Sequence, residues 1–137
     1  MREIRRENPR PFLQTHPDQQ INMDLQACLL RASGMLNFPF GKCNQTTDII
    51  IAVLESRGFR PVYGYFHLDK PDRGKTKKVH TWATDAQARF IDLTGNQFNE
   101  FLNDGDKFPA GVVIIEENDP RRTRYQPFRT KPVALPQ

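Results

Sequence analysis

Apolar positions recur at near-helical spacing in the stretch INMDLQACLLRASGML (21–36), where Ile21, Leu25, Cys28, Leu29 and Met35 share one side. The pattern predicts a helix over 22–33, with Gly34 at its C-terminal end. Asn37-Phe38-Pro39-Phe40-Gly41 reads as a loop. A second helix is predicted over 45–57, its buried stripe formed by Ile49, Ile50, Val53 and Leu54, with Thr46 or Thr47 at its start and Gly58 closing it. Beyond it the pattern changes to short segments rich in β-formers: 61–67, 79–83 and 89–93, with the polar stretch 68–76 as a loop between the first two. A short helix is predicted at 96–103, where Phe98, Phe101 and Leu102 share a face. Val112-Val113-Ile114-Ile115 is apolar on both faces, which predicts a central strand. The fold class that follows is α+β, with helices packed on an antiparallel sheet.

Composition narrows the organisation. At 137 residues with 37% hydrophobic positions, the chain has material for one domain with one modest core. Proline concentrates at the two ends (Pro9, Pro11, Pro17; Pro120, Pro127, Pro132, Pro136), as do Arg2, Arg5, Arg6, Arg10, Arg121, Arg122, Arg124 and Arg129. The expected division is an N-terminal arm over 1–20, a folded domain over 21–118 and a basic, Pro-rich tail over 119–137. The net charge of +4 is mild and reads first as solvated tails. No apolar run approaches the ~20 residues that span a bilayer, and no apolar stretch follows the basic first residues as in a secretory signal. The expectation is a cytoplasmic protein, or one exported without a cleavable signal, that does not associate with membranes.

Candidate chemistry lies in one order of residues: Cys43, then His80, then Asp92. A thiol becomes a nucleophile when a base takes its proton, and the base needs a third group to hold its ring. Cys43 stands at the head of the second predicted helix, where unpaired N–H groups and the helix dipole lower a thiol pKa and can hold an oxyanion. His80 and Asp92 lie on consecutive predicted strands. A three-residue loop over 85–87, or a five-residue loop in the same register, would put them directly opposite each other on one face of a hairpin; an even-length loop would turn one of them to the far face. Trp82 shares the face of His80 and Thr94 that of Asp92.

A cysteine leading a helix, followed by strands carrying His and Asp, resembles the core of papain-like and transglutaminase-like thiol enzymes. The resemblance rests on Cys43-Asn44-Gln45-Thr46-Thr47, Val79-His80-Thr81-Trp82 and Ile91-Asp92-Leu93-Thr94, and covers about residues 43–98. The spacing is also similar to that of glutamine deamidase domains of bacterial effectors. The pattern His80-x-Trp82 … Asp92-Leu93-Thr94-x-x-Gln97-Phe98 resembles small bacterial proteins of unassigned function. The resemblance implies Cys43 as nucleophile, His80 as base and Asp92 as orienter, a thioester intermediate and no cofactor. Asn44, Gln45 and Trp82 are candidates for substrate and oxyanion contacts, with Gln26 a more distant one. Asn44 stands where papain and most transglutaminases carry an aromatic residue, and the chain is short for a two-lobed protease. Deamidation of a protein or peptide substrate is therefore favoured over peptide cleavage.

Other readings compete. Cys28 sits mid-helix on an apolar side and reads as core, and Cys43 alone would read the same way. Two Cys and three His lack paired metal spacing. Gly74-Lys75-Thr76 echoes the end of a phosphate-binding loop but has Asp69 where the motif needs Gly. The basic cluster Lys70, Arg73, Lys75, Lys77 and Lys78 reads as a solvated tip that could also steer an acidic partner surface. The alternatives to an enzyme are a fold relative without catalysis that serves as a protein-binding module and, behind it, a basic nucleic-acid binder.

Overall fold

The computed structural model describes residues 17–128. Helices α1 (Pro17–Ser33) and α2 (Cys43–Leu54) are followed by strands β1 (Arg60–Asp72), β2 (Lys75–Thr84), β3 (Phe90–Asp92), β4 (Val113–Ile115) and β5 (Tyr125–Pro127). Short 3-10 turns intervene at Glu55–Arg57, Gly95–Phe101, Asp104–Asp106 and Pro120–Arg124. The strands form one antiparallel sheet in the order β4-β3-β2-β1-β5. The expected α+β class is the observed one. No helix among the described residues is long and apolar enough to cross a membrane.

The sheet is buried on both faces, and the period-2 alternation of its strands sorts side chains between two cores. Trp82, Phe90, Val113 and Ile115 join Phe66, Phe98, Phe108 and Tyr125 on one face. Their chain neighbours Ala83, Ile91 and Ile114 turn to the other face, against Leu25, Cys28, Ile50 and Leu54 of the two helices. This explains where β4 departs from expectation. Its apolar run does mean that both faces are covered, yet β4 is an edge strand and not a central one. Burial above and below says nothing about lateral neighbours.

Both helices differ in detail from the pattern. α1 begins at Pro17, five residues before its predicted start, with Gln20 bonding Asp24 one turn on (3.0 Å). α2 begins at Cys43 and not at Gln45. Lys42 occupies its cap without a side-chain bond, and Thr46 and Thr47 are buried in its first turns where capping had been expected of them. The inward stripe is Thr47, Ile50 and Leu54, while Val53 is 47% exposed. Gly58, at φ +92°, closes the following 3-10 turn as expected.

The predicted loop 68–76 is instead a long hairpin. β1 continues to Asp72, a two-residue turn at Arg73 and Gly74 has positive φ at both positions, and Asp72 pairs with Lys75. A solvated hairpin end carries no apolar alternation to betray it. At the C-terminal end, the folded body continues past 118: β5 adds to β1, Tyr125 is buried, and Arg124 bonds Asp69 (2.9 Å) and Asp106 (3.1 Å). Arg121 and Arg124, both within the expected tail, are thus ion-paired in the fold. Residues 17–20 of the arm expected over 1–20 belong to α1; the rest of that arm, 1–16, and the part of the expected tail from 129 lie outside the described residues.

Candidate active site

Residues 85–89 connect β2 to β3, and the register is Ala83↔Ile91 and Thr84↔Phe90. Continuing it, Asp92 lies across from Trp82, two positions from the expected pairing with His80. An even displacement keeps parity, so His80 and Asp92 still share a face and meet diagonally. His80 Nε2 lies 2.8 Å from Asp92 Oδ2, and both side chains are buried, at 0% and 2% exposure.

Asp92 is fully satisfied. Oδ2 also accepts from the Tyr125 hydroxyl (2.7 Å), and Oδ1 accepts from the Thr94 N–H (2.9 Å) and the Thr94 hydroxyl (3.1 Å). Burial alone would raise the Asp92 pKa, but the His80 charge and hydrogen bond, the Thr94 N–H and the Tyr125 hydroxyl outweigh it and hold it below the ordinary carboxylate value. Around the imidazole, Trp82 stacks at 5.7 Å and Phe98 and Phe66 meet it edge-on at 5.0 and 5.8 Å. The ring is clamped in orientation by packing and in tautomer by Asp92.

Cys43 comes to this pair from the other side of β2. It is half-buried at the head of α2, whose first turn is tied down by the Thr81 hydroxyl donating to Asn44 Oδ1. With Nε2 of His80 committed to Asp92, Nδ1 is the nitrogen left for the thiol. Nδ1 is buried and has no partner of strict hydrogen-bond geometry, as is common for resting nucleophile–base pairs. The two groups are nonetheless close enough to perturb each other. Burial pushes the Cys43 thiol up, but the hydrogen-bonding and charge influence of His80 and the Thr81 N–H outweigh it, and the net shift is downward. For His80, burial favours the neutral ring, while Asp92 and then Cys43 favour the cation and raise its pKa to about 9. Cys28, in contrast, is core: burial raises its thiol, and its Sγ faces the Ile49 carbonyl at 3.9 Å.

A cleft of about 740 Å³ opens in front of Cys43, lined by Gly41, Asn44, Tyr65, Val79, Gln97 and the lysines 75, 77 and 78. No family model, curated protein or solved structure matches this chain. The site must therefore be read from its own residues. Asn44 borders the cleft, with its Oδ1 held by Thr81. Gln45 and Gln26 are exposed and do not line it. Trp82 is 1% exposed and forms the floor beneath His80, not a substrate wall.

Tyr125 escapes a reading of the sequence, and Gln97 enters it only as part of a pattern, without a role. Tyr125 falls in the segment taken as tail, and nothing local ties it to Asp92. Gln97 lies on the 3-10 turn Gly95–Phe101, which Phe108 covers and Asn99 braces through paired bonds to the Phe108 backbone (2.8 Å each). Gln97, which lines the same cleft as Cys43, accepts at Oε1 from the Gly41 N–H (3.2 Å), and its Nε2 is buried without a partner. Thr94 does carry a local signal: Asp-x-Thr is an Asx-type turn, in which the carboxylate takes the N–H two residues on.

Proposed function

We propose that this protein is a cysteine-dependent amide acyl-transfer enzyme of the papain-like or transglutaminase-like kind, and that its reaction is deamidation of glutamine in a protein or peptide. The observation that carries the reading is the buried His80–Asp92 pair at 2.8 Å behind a thiol whose pKa is lowered at the mouth of a cleft. A structural histidine has no need of a buried carboxylate partner together with a neighbouring thiol at a helix start.

The steps follow from these groups. The Cys43 thiolate attacks the carboxamide carbon, and the carbonyl electrons move to oxygen. The donors available to that oxyanion are the unpartnered Nε2 of Gln97 and the N–H groups at the head of α2. As the carbonyl re-forms, the C–N bond breaks and His80 gives its proton to the departing amine, so ammonia leaves and a thioester remains. Water then gives a proton to His80 and attacks the thioester; the carboxylic acid leaves and the Cys43 thiolate returns with His80 again protonated.

The test is the pH dependence of Cys43 alkylation in a Cys28→Ser background, with and without His80→Ala, alongside ammonia release from glutamine-containing peptides. Cys43 should react well below the ~8.5 of a free thiol, and His80→Ala should move it back to that range with the circular dichroism of the fold retained. An ordinary thiol profile in the parent protein would replace the catalytic reading with that of a protein-binding module.

A further inference from the structure

The cleft in front of Cys43 runs along a strand edge that, over Lys75–Val79, has no strand partner among the described residues. Tyr63 O accepts from the Phe128 N–H (2.9 Å), so the backbone of Tyr63 and of Tyr65 points toward β5. Gly64 and Phe66 must then bond β2 through His80 and Lys78, their register partners. By the same alternation, the N–H and C=O of Lys77, Val79, Thr81 and Ala83 point away from β1. The Thr81 N–H, which bears on the Cys43 thiol, agrees with this direction. Ala83 is taken up by β3, whose pairing with β2 is confined to Ala83 and Thr84. Among the described residues no strand pairs with the outer edge of β2 over Lys75–Val79.

The two sides of that edge differ chemically. One side is the cleft described above, which contains Lys75, Lys77 and Lys78 and no carboxylate. Lys78 is held by Asp72 (2.5 Å) and Lys77 lies over the Tyr65 ring (4.3 Å). The other side is a second cleft of about 440 Å³ in which Phe40, Phe98 and Phe101 supply apolar surface beside the charged Asp72, Arg73, Lys78 and Glu100, and Phe40 is 57% exposed. Gly41, Lys78, Val79 and Gln97 border both, so the contrast rests on Lys75 and Lys77 on one side against the phenylalanines and carboxylates on the other.

We infer that the substrate is an acidic segment of polypeptide bound in extended form as an added strand on β2, its main chain bonded to Lys77 and Val79. Alternate side chains would enter the lysine-lined cleft and the aromatic one, so acidic and apolar residues should alternate around the reactive amide. This direction leads the segment over Cys43, two residues further along the edge from Val79 through Thr81. The inference names the substrate class for the proposed reaction and rests on that reading for chemistry, but binding can be measured without turnover.

The experiment uses the full chain with Cys43→Ala and short fluorescent peptides with a central glutamine. One has alternating Glu and Leu; the controls have Lys in place of Glu, or the same composition unalternated. Two further versions carry N-methyl groups on one or the other set of alternate amides. The alternating acidic peptide should bind saturably, at least roughly tenfold tighter than either control. One N-methyl set should abolish this and the other leave it intact. Lys75→Glu with Lys77→Glu should weaken it by roughly tenfold or more. In NMR exchange, the Lys77 and Val79 amides should be unprotected in the free protein and protected by the peptide.

Equal binding of the acidic and basic peptides, equal effects of the two N-methyl sets, or no binding of any peptide up to about 1 mM would overturn the proposal. So would protection of both amides in the free protein, which would mean the edge is already paired. Peptide binding with an unreactive Cys43 would leave the strand site standing and remove only the catalytic reading.

Discussion

At the scale of single residues, Asp92 accepts hydrogen bonds from His80, Tyr125 and Thr94 with no part left to water. A buried charge is tolerable only when satisfied in this way. Tyr125→Phe removes one bond to an ionised group and should cost about 1.5–3 kcal/mol in urea unfolding, while Cys43 alkylation stays sensitive to His80. Gln97 poses a different problem. Its Nε2 is an orphaned buried donor, a form of local frustration that functional sites tolerate. If that donor receives the oxyanion, Gln97→Ala should lower kcat by about 10²–10³ and leave the alkylation profile of Cys43 unchanged. A loss confined to KM would assign Gln97 to binding instead.

At the scale of elements, β5 connects the C-terminal segment to the site. It crosses β1 at Gly64, where a Cβ would lie 2.8 Å from the Pro127 Cα and closer still to the Gln126 carbonyl. Only glycine admits this approach of two backbones. Gly64→Ala should displace β5, cost about 1–3 kcal/mol and expose Tyr125, which is followed by amide exchange along 125–127 together with a loss of the Tyr125 contact to Asp92. An unchanged exchange pattern would show that β5 can move aside without loss. Gly64 sits within a strand pattern and gives no hint of this in the sequence. Likewise, residues 119–128 look like tail because the anchors of that segment, Asp69, Asp106 and the β1 backbone, are far away in the chain.

For the whole molecule, the coupled site makes stability depend on pH with a definite sign. The folded pKa of His80 is raised above its unfolded value of ~6.5, so its contribution is complete below ~6.5 and is lost as pH rises toward about 9. The folded pKa of Asp92 is depressed, so its contribution is present above ~3.9 and disappears as pH falls through the lower folded value. Cys43 acts oppositely to His80 on the alkaline side: its folded pKa is lowered, so it adds stability as pH rises. In a Cys43→Ala chain, urea unfolding should therefore give greatest stability between about 4 and 6.5 and a decline above it. A flat profile from pH 5 to 9 would mean that His80 does not gain its proton in the fold.

The amino-acid sequence by itself determined the α+β class, both helices and the common face of His80 and Asp92, because these rest on periodicity and on parity along the chain. Parity survived even where the register did not: the connection over 85–89 displaced the strands by two positions and left both side chains on one face. What only the tertiary structure decided depends on neighbours distant in sequence. The lateral order of the strands put apolar β4 at an edge, β5 over Gly64 and Tyr125 against Asp92. The early end of β3 left the outer side of β2 open beside Cys43. Periodicity reports which face of an element is buried; it carries no information about what lies beside that element, and the cleft of this protein is made there.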